Sequence, residues 1–281
     1  MANFLSPIFM QRARTLINAG RPLPFSIYSS KREQHLLNVP IHKPLLVCVA
    51  TGNKHLGNDG ERVCRAGHFV FLATQAGINM RNIPGDIEYC ALLIEFDVDD
   101  FACLSPSDIE PKKLKNSSDK TLPVTGPLSD LMSLALEQFV HWSAIAPETL
   151  WSARRQELLK LLLLEGHKGL SELAGEARLS QRLYALIEAD LSSDDTAQVF
   201  ARKLAMSEAS LRRRLKAEGT GIQQLKDAAR LGRALHLLQS SDLSVAAVAE
   251  QCAYQSPSRF TDKFKQRFGL TPSELRKTRS A

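Results

Sequence analysis

The feature that most restricts this chain is an internal repeat near its end. The stretches VFARKLAMSEASLRRRLK (199–216) and AVAEQCAYQSPSRFTDKFK (247–265) follow one pattern. Ala201, Leu204, Ala205 and Met206 correspond to Ala249, Cys252, Ala253 and Tyr254. After one extra residue in the second copy, Ser207, Leu211, Leu215 and Lys216 correspond to Ser256, Phe260, Phe264 and Lys265. Each copy reads as a short helix, a tight turn, a serine placed to cap, and a second helix. Two helix-turn-helix units are therefore expected, at 196–217 and 244–267. The intervening GIQQLKDAARLGRALHLLQSS has the length and periodicity of one connecting helix.

Helical geometry sorts the side chains of each second helix. Successive residues are about 100° apart, so the adjacent Arg212, Arg213 and Arg214 cannot share a face. Leu211 and Leu215, four apart, mark the buried stripe. Ala209, Arg212, Arg213 and Lys216 then fall on the far side, with Arg214 on the flank. In the second copy Phe260 and Phe264 mark the stripe, and Ser258, Thr261, Asp262 and Lys265 face away. A helix presenting such residues fits the major groove of duplex DNA, where an Arg can hold guanine bidentately. Ala209, Arg212, Arg213, Ser258 and Asp262 are the candidate base contacts. Ser207, Arg214, Lys216, Ser256, Thr261 and Lys265 are the candidate phosphate contacts. The competing reading is a helix pair with a solvated basic face.

Charge supports the nucleic-acid reading. Residues 181–281 carry 17 Lys and Arg against 11 Asp and Glu, while residues 1–180 carry 19 of each, so the whole net charge of +6 lies in the tail. A neutral body with a basic tail is the footprint of a polyanion binder. Nothing approaches the ~18–20 apolar residues of a membrane span, and the opening MANFLSPIFMQRARTL lacks the pattern of a secretory signal. The five cysteines (48, 64, 90, 103 and 252) form no CxxC pair, which points to buried free thiols in a reducing cytoplasm.

Upstream, residues 23–101 hold short β-rich runs, FSIYSS, PLLVCVAT, HFVFLAT and YCALLIEF, separated by turns at TGNKHLG, GNDGE and IPGDIE. That pattern predicts a small antiparallel barrel or sandwich. The stretch at 105–127, rich in Ser, Pro and Lys, reads as a linker. Residues 128–178 read as helical. The helix around Leu150 to Leu164 carries more apolar surface than one stripe needs, so Trp151, Leu158, Leu159 and Leu162 are candidates for a dimer seam, with the core beneath the barrel as the alternative.

These residues carry a resemblance. The tail from about 181 to 279, above all SPSRFTDKFKQRFGLTPSELRK and RLGRALHLLQSSDLSVAAVAEQC, is similar to the DNA-binding unit of the AraC/XylS family of bacterial transcription regulators. Two positions depart from the family pattern. Ala205 and Ala253 stand at turn positions where the family often has Gly, and Asp262 where many members have an Arg. A carboxylate there accepts from cytosine but repels phosphate, which leaves the second unit open to two roles, base reader or backbone clamp. More loosely, PLLVCVATGNKHLG followed by RAGHFVFLAT resembles the cupin-like N-terminal barrel of family members, which senses a small ligand or a protein.

The resemblance implies an α+β, two-domain regulator: a cupin-like barrel at 1–104, helices that dimerise at 128–178, and a DNA-binding domain at 179–281. It implies promoter DNA and RNA polymerase as partners, activation of transcription, a homodimer and no cofactor. A pocket lined by Val47, Val49, Phe71 and Leu93, with Lys31, Arg32 or Lys54 at its mouth, would suit a fatty-acid-like anion; ordinary surface is the preferred reading of those three cations. The rival from another class is a metal-dependent cupin enzyme. Its ligands would come from His35, His42, His55, His68, Glu61 and Glu88, which are scattered and include no HxH pair. No metal site and no catalytic group are assigned.

Overall fold

The computed structural model describes residues 5–58, 60, 62–104, 123–167, 170 and 178–279. An N-terminal helix α1 (Pro7–Asn18), capped by Ser6 with Pro7 in its first turn, leads into the strands, nine of them among the described residues. They are β1 (Ser26–Ser30), β2 (Gln34–Ile41), β3 (Leu45–Thr51), β4 (Asn53–Leu56), β5 (Arg62–Arg65), β6 (His68–Leu72), β7 (Gln75–Ile83), β8 (Tyr89–Glu95) and β9 (Val124–Pro127). Two antiparallel sheets result, β1-β8-β3-β6-β9 and β2-β7-β4-β5. They face each other without closing into one hydrogen-bonded barrel. Val124–Pro127, expected as the end of a linker, pairs with β6 as an edge strand; residues 105–122 of that linker lie outside the described residues.

The strands legible in the sequence are β1, β3, β6 and β8, all of the five-stranded sheet. Its central strands are buried on both faces, so β3, β6 and β8 read as unbroken apolar runs. The strands of the other sheet alternate buried and exposed positions and carry polar residues such as Asn53 and Arg62. The stretch TGNKHLG, expected as a turn, contains β4.

Helices α2 (Asp130–Ser143) and α3 (Trp151–Leu164) cover the outer face of the five-stranded sheet. Leu158, Leu159 and Leu162 belong there to one buried cluster with Leu46, Phe69, Phe71 and Leu92. This corrects the dimer-seam expectation: these leucines are spent in the chain's own core, and Trp151 is half-buried at a cavity wall. The physical reason is that the sheet's outer face is as apolar as its inner one and needs cover.

The tail follows as α4 (Leu179–Ala189), α5 (Ala197–Lys203), α6 (Glu208–Ala217), α7 (Ile222–Ser240), α8 (Val245–Gln251), α9 (Pro257–Phe268) and α10 (Pro272–Lys277). Two cores divide it. One unites Leu183, Phe200, Leu211 and Leu215 with the first half of α7, through Leu225 and Ala229. The other unites the second half of α7, α8, α9 and α10 with the inner faces of both sheets.

Candidate functional site

The two helix-turn-helix units close in the same way. The Met206 amide donates to the Ala201 carbonyl in the first and the Tyr254 amide to the Ala249 carbonyl in the second, each at 2.9 Å. Both turns pass through a left-handed alanine, Ala205 at φ 54° and Ala253 at φ 58°. That conformation strains any residue with a Cβ, and it is why glycine suits the position. Ser207 Oγ then accepts from the Ser210 amide (3.2 Å) and Ser256 Oγ from the Arg259 amide (3.3 Å), starting α6 and α9. Both serines, expected at phosphates, therefore use their oxygens as caps and keep only the hydroxyl proton to offer.

On α6, burial of Leu211 and Leu215 leaves Ala209, Arg212, Arg213, Arg214 and Lys216 exposed together. Arg213 stands opposite the leucine stripe. Arg212 folds back on Glu208 at 2.8 Å, an exposed i,i+4 pair of small energy that a phosphate or base would readily displace. On α9, the buried stripe is Phe260, Phe264 and Phe268. The third ring shifts the stripe's centre, so the face opposite it holds Ser258, Arg259, Asp262, Lys265 and Gln266, all exposed, while Thr261 lies half-buried on the flank. Arg259 and Gln266 are not among the candidates read from the sequence, although both already lie within about 60° of the point opposite Phe260 and Phe264.

The second unit is fastened to the sheets. Arg267 Nη2 donates to the Ala76 carbonyl of β7 at 2.5 Å. Gly269 ends α9 at φ 84°, and a Cβ there would lie 2.9 Å from Leu37 Cδ1 of β2. The Thr278 carbonyl, just past α10, accepts from the amides of Lys31 (2.7 Å) and Arg32 (3.2 Å). Lys31 and Arg32 thus lie at this clamp with exposed side chains, and neither lines the cavity.

Between the sheets, α4 and α7 lies a cavity of about 460 Å³. Val47 and Leu93 line it as expected, but Phe71 does not. In the antiparallel register Val47 sits opposite Val70, and Phe71 opposite Leu46. Cross-strand partners share a face, so Phe71 points outward to Phe96 and Phe101. Val49 belongs to the inner core without reaching the cavity wall. Lys54, expected as surface, is buried in the wall. Its ammonium donates to Asn82 Oδ1 (2.9 Å) and Met80 Sδ (3.2 Å), and burial lowers its pKa to about 8.

The rest of the wall is also polar in patches. Tyr28 Oη and His236 Nδ1 share a hydrogen bond of 2.9 Å, and burial, aided by Arg233, lowers the His236 pKa to about 4. His42 stacks on Tyr184 with ring centroids 3.5 Å apart; burial, aided by Arg267, lowers its pKa to about 3. Burial raises Glu95, with Lys43 opposing. His42 Nε2 and Trp151 Nε1 are buried at the wall and find no partner among the described residues.

The residues proposed for a metal are not brought together. His42 is stacked, His68 Nδ1 lies near the Ala66 carbonyl, Glu88 pairs with Arg14 at 2.6 Å, and His35 is exposed on β2. His55 lies beside Gly60, and Glu61 is outside the described residues. Among the described residues no cluster suited to a metal ion occurs, and Cys48, Cys64, Cys90 and Cys252 are buried free thiols.

Residues 200–278 match the family described as a helix-turn-helix domain. Residues 200–278 are thus a helix-turn-helix domain by sequence as well as by geometry. In sequence the chain is similar to the transcriptional regulator AdiY of Escherichia coli, 31% identical over 94 residues covering 34% of this chain and 37% of that protein. It is also similar to the transcriptional activator RhaS of Escherichia fergusonii, 32% identical over 141 residues covering 48% and 50%. The chain thus spans between a third and half of the length of these curated relatives. In fold it is similar to ToxT of Vibrio cholerae: an apo structure of a ToxT variant matches with a TM-score of 0.66 at 15% identity, covering 92% of this chain and 99% of that one. A structure of ToxT bound to an unsaturated fatty acid matches with a TM-score of 0.59 at 12% identity, covering 92% and 98%. The helical tail of this chain and its two-sheet body together therefore adopt a fold already seen in ToxT. No helix among the described residues is long and apolar enough to cross a membrane.

Proposed function

We propose that the protein is a cytoplasmic transcription regulator, an activator that recognises promoter DNA through α6 and α9 and responds to an effector held in the cavity. The observation that carries the DNA reading is the pair of identically closed turns, each presenting a capped helix with its polar face outward. Arg213 and Arg212 read bases in the first unit, and Arg214 and Lys216 hold phosphate. Arg259, Asp262 and Gln266 form the reading face of the second. Activation follows the similarity to the transcriptional activator RhaS, and contact with RNA polymerase follows the resemblance of the tail to the AraC/XylS family. Self-association would use a surface other than the buried leucines of α3.

The effector reading rests on Lys54. Among the described residues the buried ammonium has an amide and a thioether as acceptors and the Tyr89 ring 5.8 Å away, with no carboxylate bonded to it, and an anion would supply that charge. The apolar wall around it suits an amphiphile, and the unsaturated fatty acid held by the similar ToxT supports a carboxylate at this chain's Lys54. Selecting sequences from random DNA with the full-length protein, then footprinting, tests the first part: protection of two major grooves about 10 base pairs apart supports it, and binding equal to that of scrambled DNA defeats it. Calorimetric titration with dodecanoate and dodecanol tests the second. Preference for the carboxylate that Lys54→Met abolishes is expected, and equal binding of both compounds counts against it.

A further inference from the structure

The cavity is connected to one helix-turn-helix unit by a directed chain of side-chain hydrogen bonds. Lys54 Nζ donates to Asn82 Oδ1 at 2.9 Å, Asn82 Nδ2 to Gln34 Oε1 at 3.0 Å, and Gln34 Nε2 to Thr278 Oγ1 at 2.7 Å. Thr278 Oγ1 donates onward to the Leu275 carbonyl in α10 at 2.6 Å. Gln239, on the last turn of α7, joins at the middle by donating to Gln34 Oε1 at 3.4 Å. Lys54, Asn82, Gln34 and Gln239 are all buried.

Every proton in this chain points the same way, from the cavity to the end of the second unit. The orientation of both amides follows from the donor at the head. An ammonium can only donate, so Asn82 must turn its oxygen to Lys54 and its nitrogen to Gln34. Gln34 must then offer its own nitrogen to Thr278. Bonds in such a series polarise one another, so strengthening the head strengthens the tail. Thr278 is also the residue whose carbonyl receives the Lys31 and Arg32 amides, so the chain ends at the clamp that holds α10 on the sheets. The first unit contributes no residue to this chain of bonds; among the described residues it reaches the cavity only by Tyr184 and Glu188 of α4.

We propose that Lys54, Asn82, Gln34 and Thr278 transmit occupancy of the cavity to the second helix-turn-helix unit. An anion beside Lys54 holds α8, α9 and α10 more firmly against the sheets, while α5 and α6 keep their own stability. The inference rests on the cavity being the effector site, but its central claim can be read without a ligand. Gln34, Asn82 and Thr278 are positioning residues in this scheme.

The test is hydrogen–deuterium exchange by mass spectrometry on the full-length protein. In Gln34→Leu and in the near-isosteric Thr278→Val, peptides from 245–277 should exchange about fivefold faster, the size of one lost internal hydrogen bond. Peptides from 197–217 should be unchanged. Dodecanoate should slow exchange at 245–277 in the wild type. In Thr278→Val it should bind with an unchanged Kd yet leave exchange at 245–277 unaltered. Equal acceleration of both units, or none in either variant, overturns the proposal, as does full protection by dodecanoate in Thr278→Val. If dodecanoate fails to bind the wild type, the cavity reading fails, and the ligand-free variants still decide whether the chain of bonds governs the second unit.

Discussion

In the first helix-turn-helix unit Leu211 and Leu215 pack on α4, α5 and the start of α7, whereas in the second Phe260, Phe264 and Phe268 share a core with strands of both sheets. The same motif therefore has two energetic settings. One copy is a small helical unit with a strongly basic outer face. The other is part of the body of the molecule, with a mixed face that includes Asp262. Duplicating a local pattern duplicates the turn and the caps; it does not duplicate what the buried side of each helix must satisfy. The larger phenylalanine stripe is matched to the wider apolar surface it meets.

The largest test of this difference is a cavity in each core. Phe264 is fully buried, with Phe268 4.6 Å and Phe260 5.7 Å away between ring centroids. Phe264→Ala should cost about 3–5 kcal/mol and lower the main thermal transition of the whole chain. Leu211→Ala should cost about 2–5 kcal/mol but split off a separate early transition for the first unit. Scanning calorimetry would break the comparison if both variants moved a single transition together.

Acid should act at two places, through His236 on α7 and through His42, which stacks on Tyr184 of the first unit's core. His236 and His42 have folded pKa values lowered to about 4 and about 3 by burial. The unfolded chain then binds more protons as pH falls below about 6.5, so stability is lost through that window at about 1 kcal/mol per pH unit for each histidine. The loss from His236 should end near pH 4. No histidine occurs in 178–217, so His236→Phe should flatten the acid slope followed by denaturant titration at several pH values. An unchanged slope would mean that His236 is not the group responsible.

DNA affinity gives the next comparison. Arg213→Ala should cost about 1–3 kcal/mol on the selected site and relax preference at one base pair. Arg214→Ala should weaken selected and scrambled DNA alike and flatten the salt slope by about one unit. Asp262→Asn should change preference within the second unit's groove only if α9 reads bases; gain of affinity on every sequence would mark it as a backbone clamp. Titrations at several salt concentrations separate these outcomes.

The smallest effect concerns the turns, where the two copies should behave alike. Ala205→Gly and Ala253→Gly relieve left-handed strain but add freedom to the unfolded chain, leaving a net gain of about 0.5 kcal/mol each. Urea midpoints would show whether one turn gains and the other does not, which would mean that the docked unit's turn is held by its surroundings.

The sequence alone determined what depends on neighbours along the chain. The repeat, the capping serines, the left-handed turn positions and the outward arginines of α6 follow from periods and angles within a single helix. So do four strands of the five-stranded sheet, three of which leave continuous apolar runs, whereas β9 is recognisable only by its pairing with β6. Tertiary structure decided whatever depends on which face meets which. A register shifted by one residue reverses every side chain of a strand, and so Phe71 joined the outer core while Val47 and Leu93 lined the cavity. The leucines of α3 were equally suited to a partner or to a sheet until the sheet's outer face claimed them. Lys54 reads as a surface lysine in a polar turn; only the pairing of β4 with β7, which sets Lys54 opposite Asn82, puts it inside. No local pattern announces a buried polar residue of this kind, because the partners that satisfy it come from distant parts of the chain.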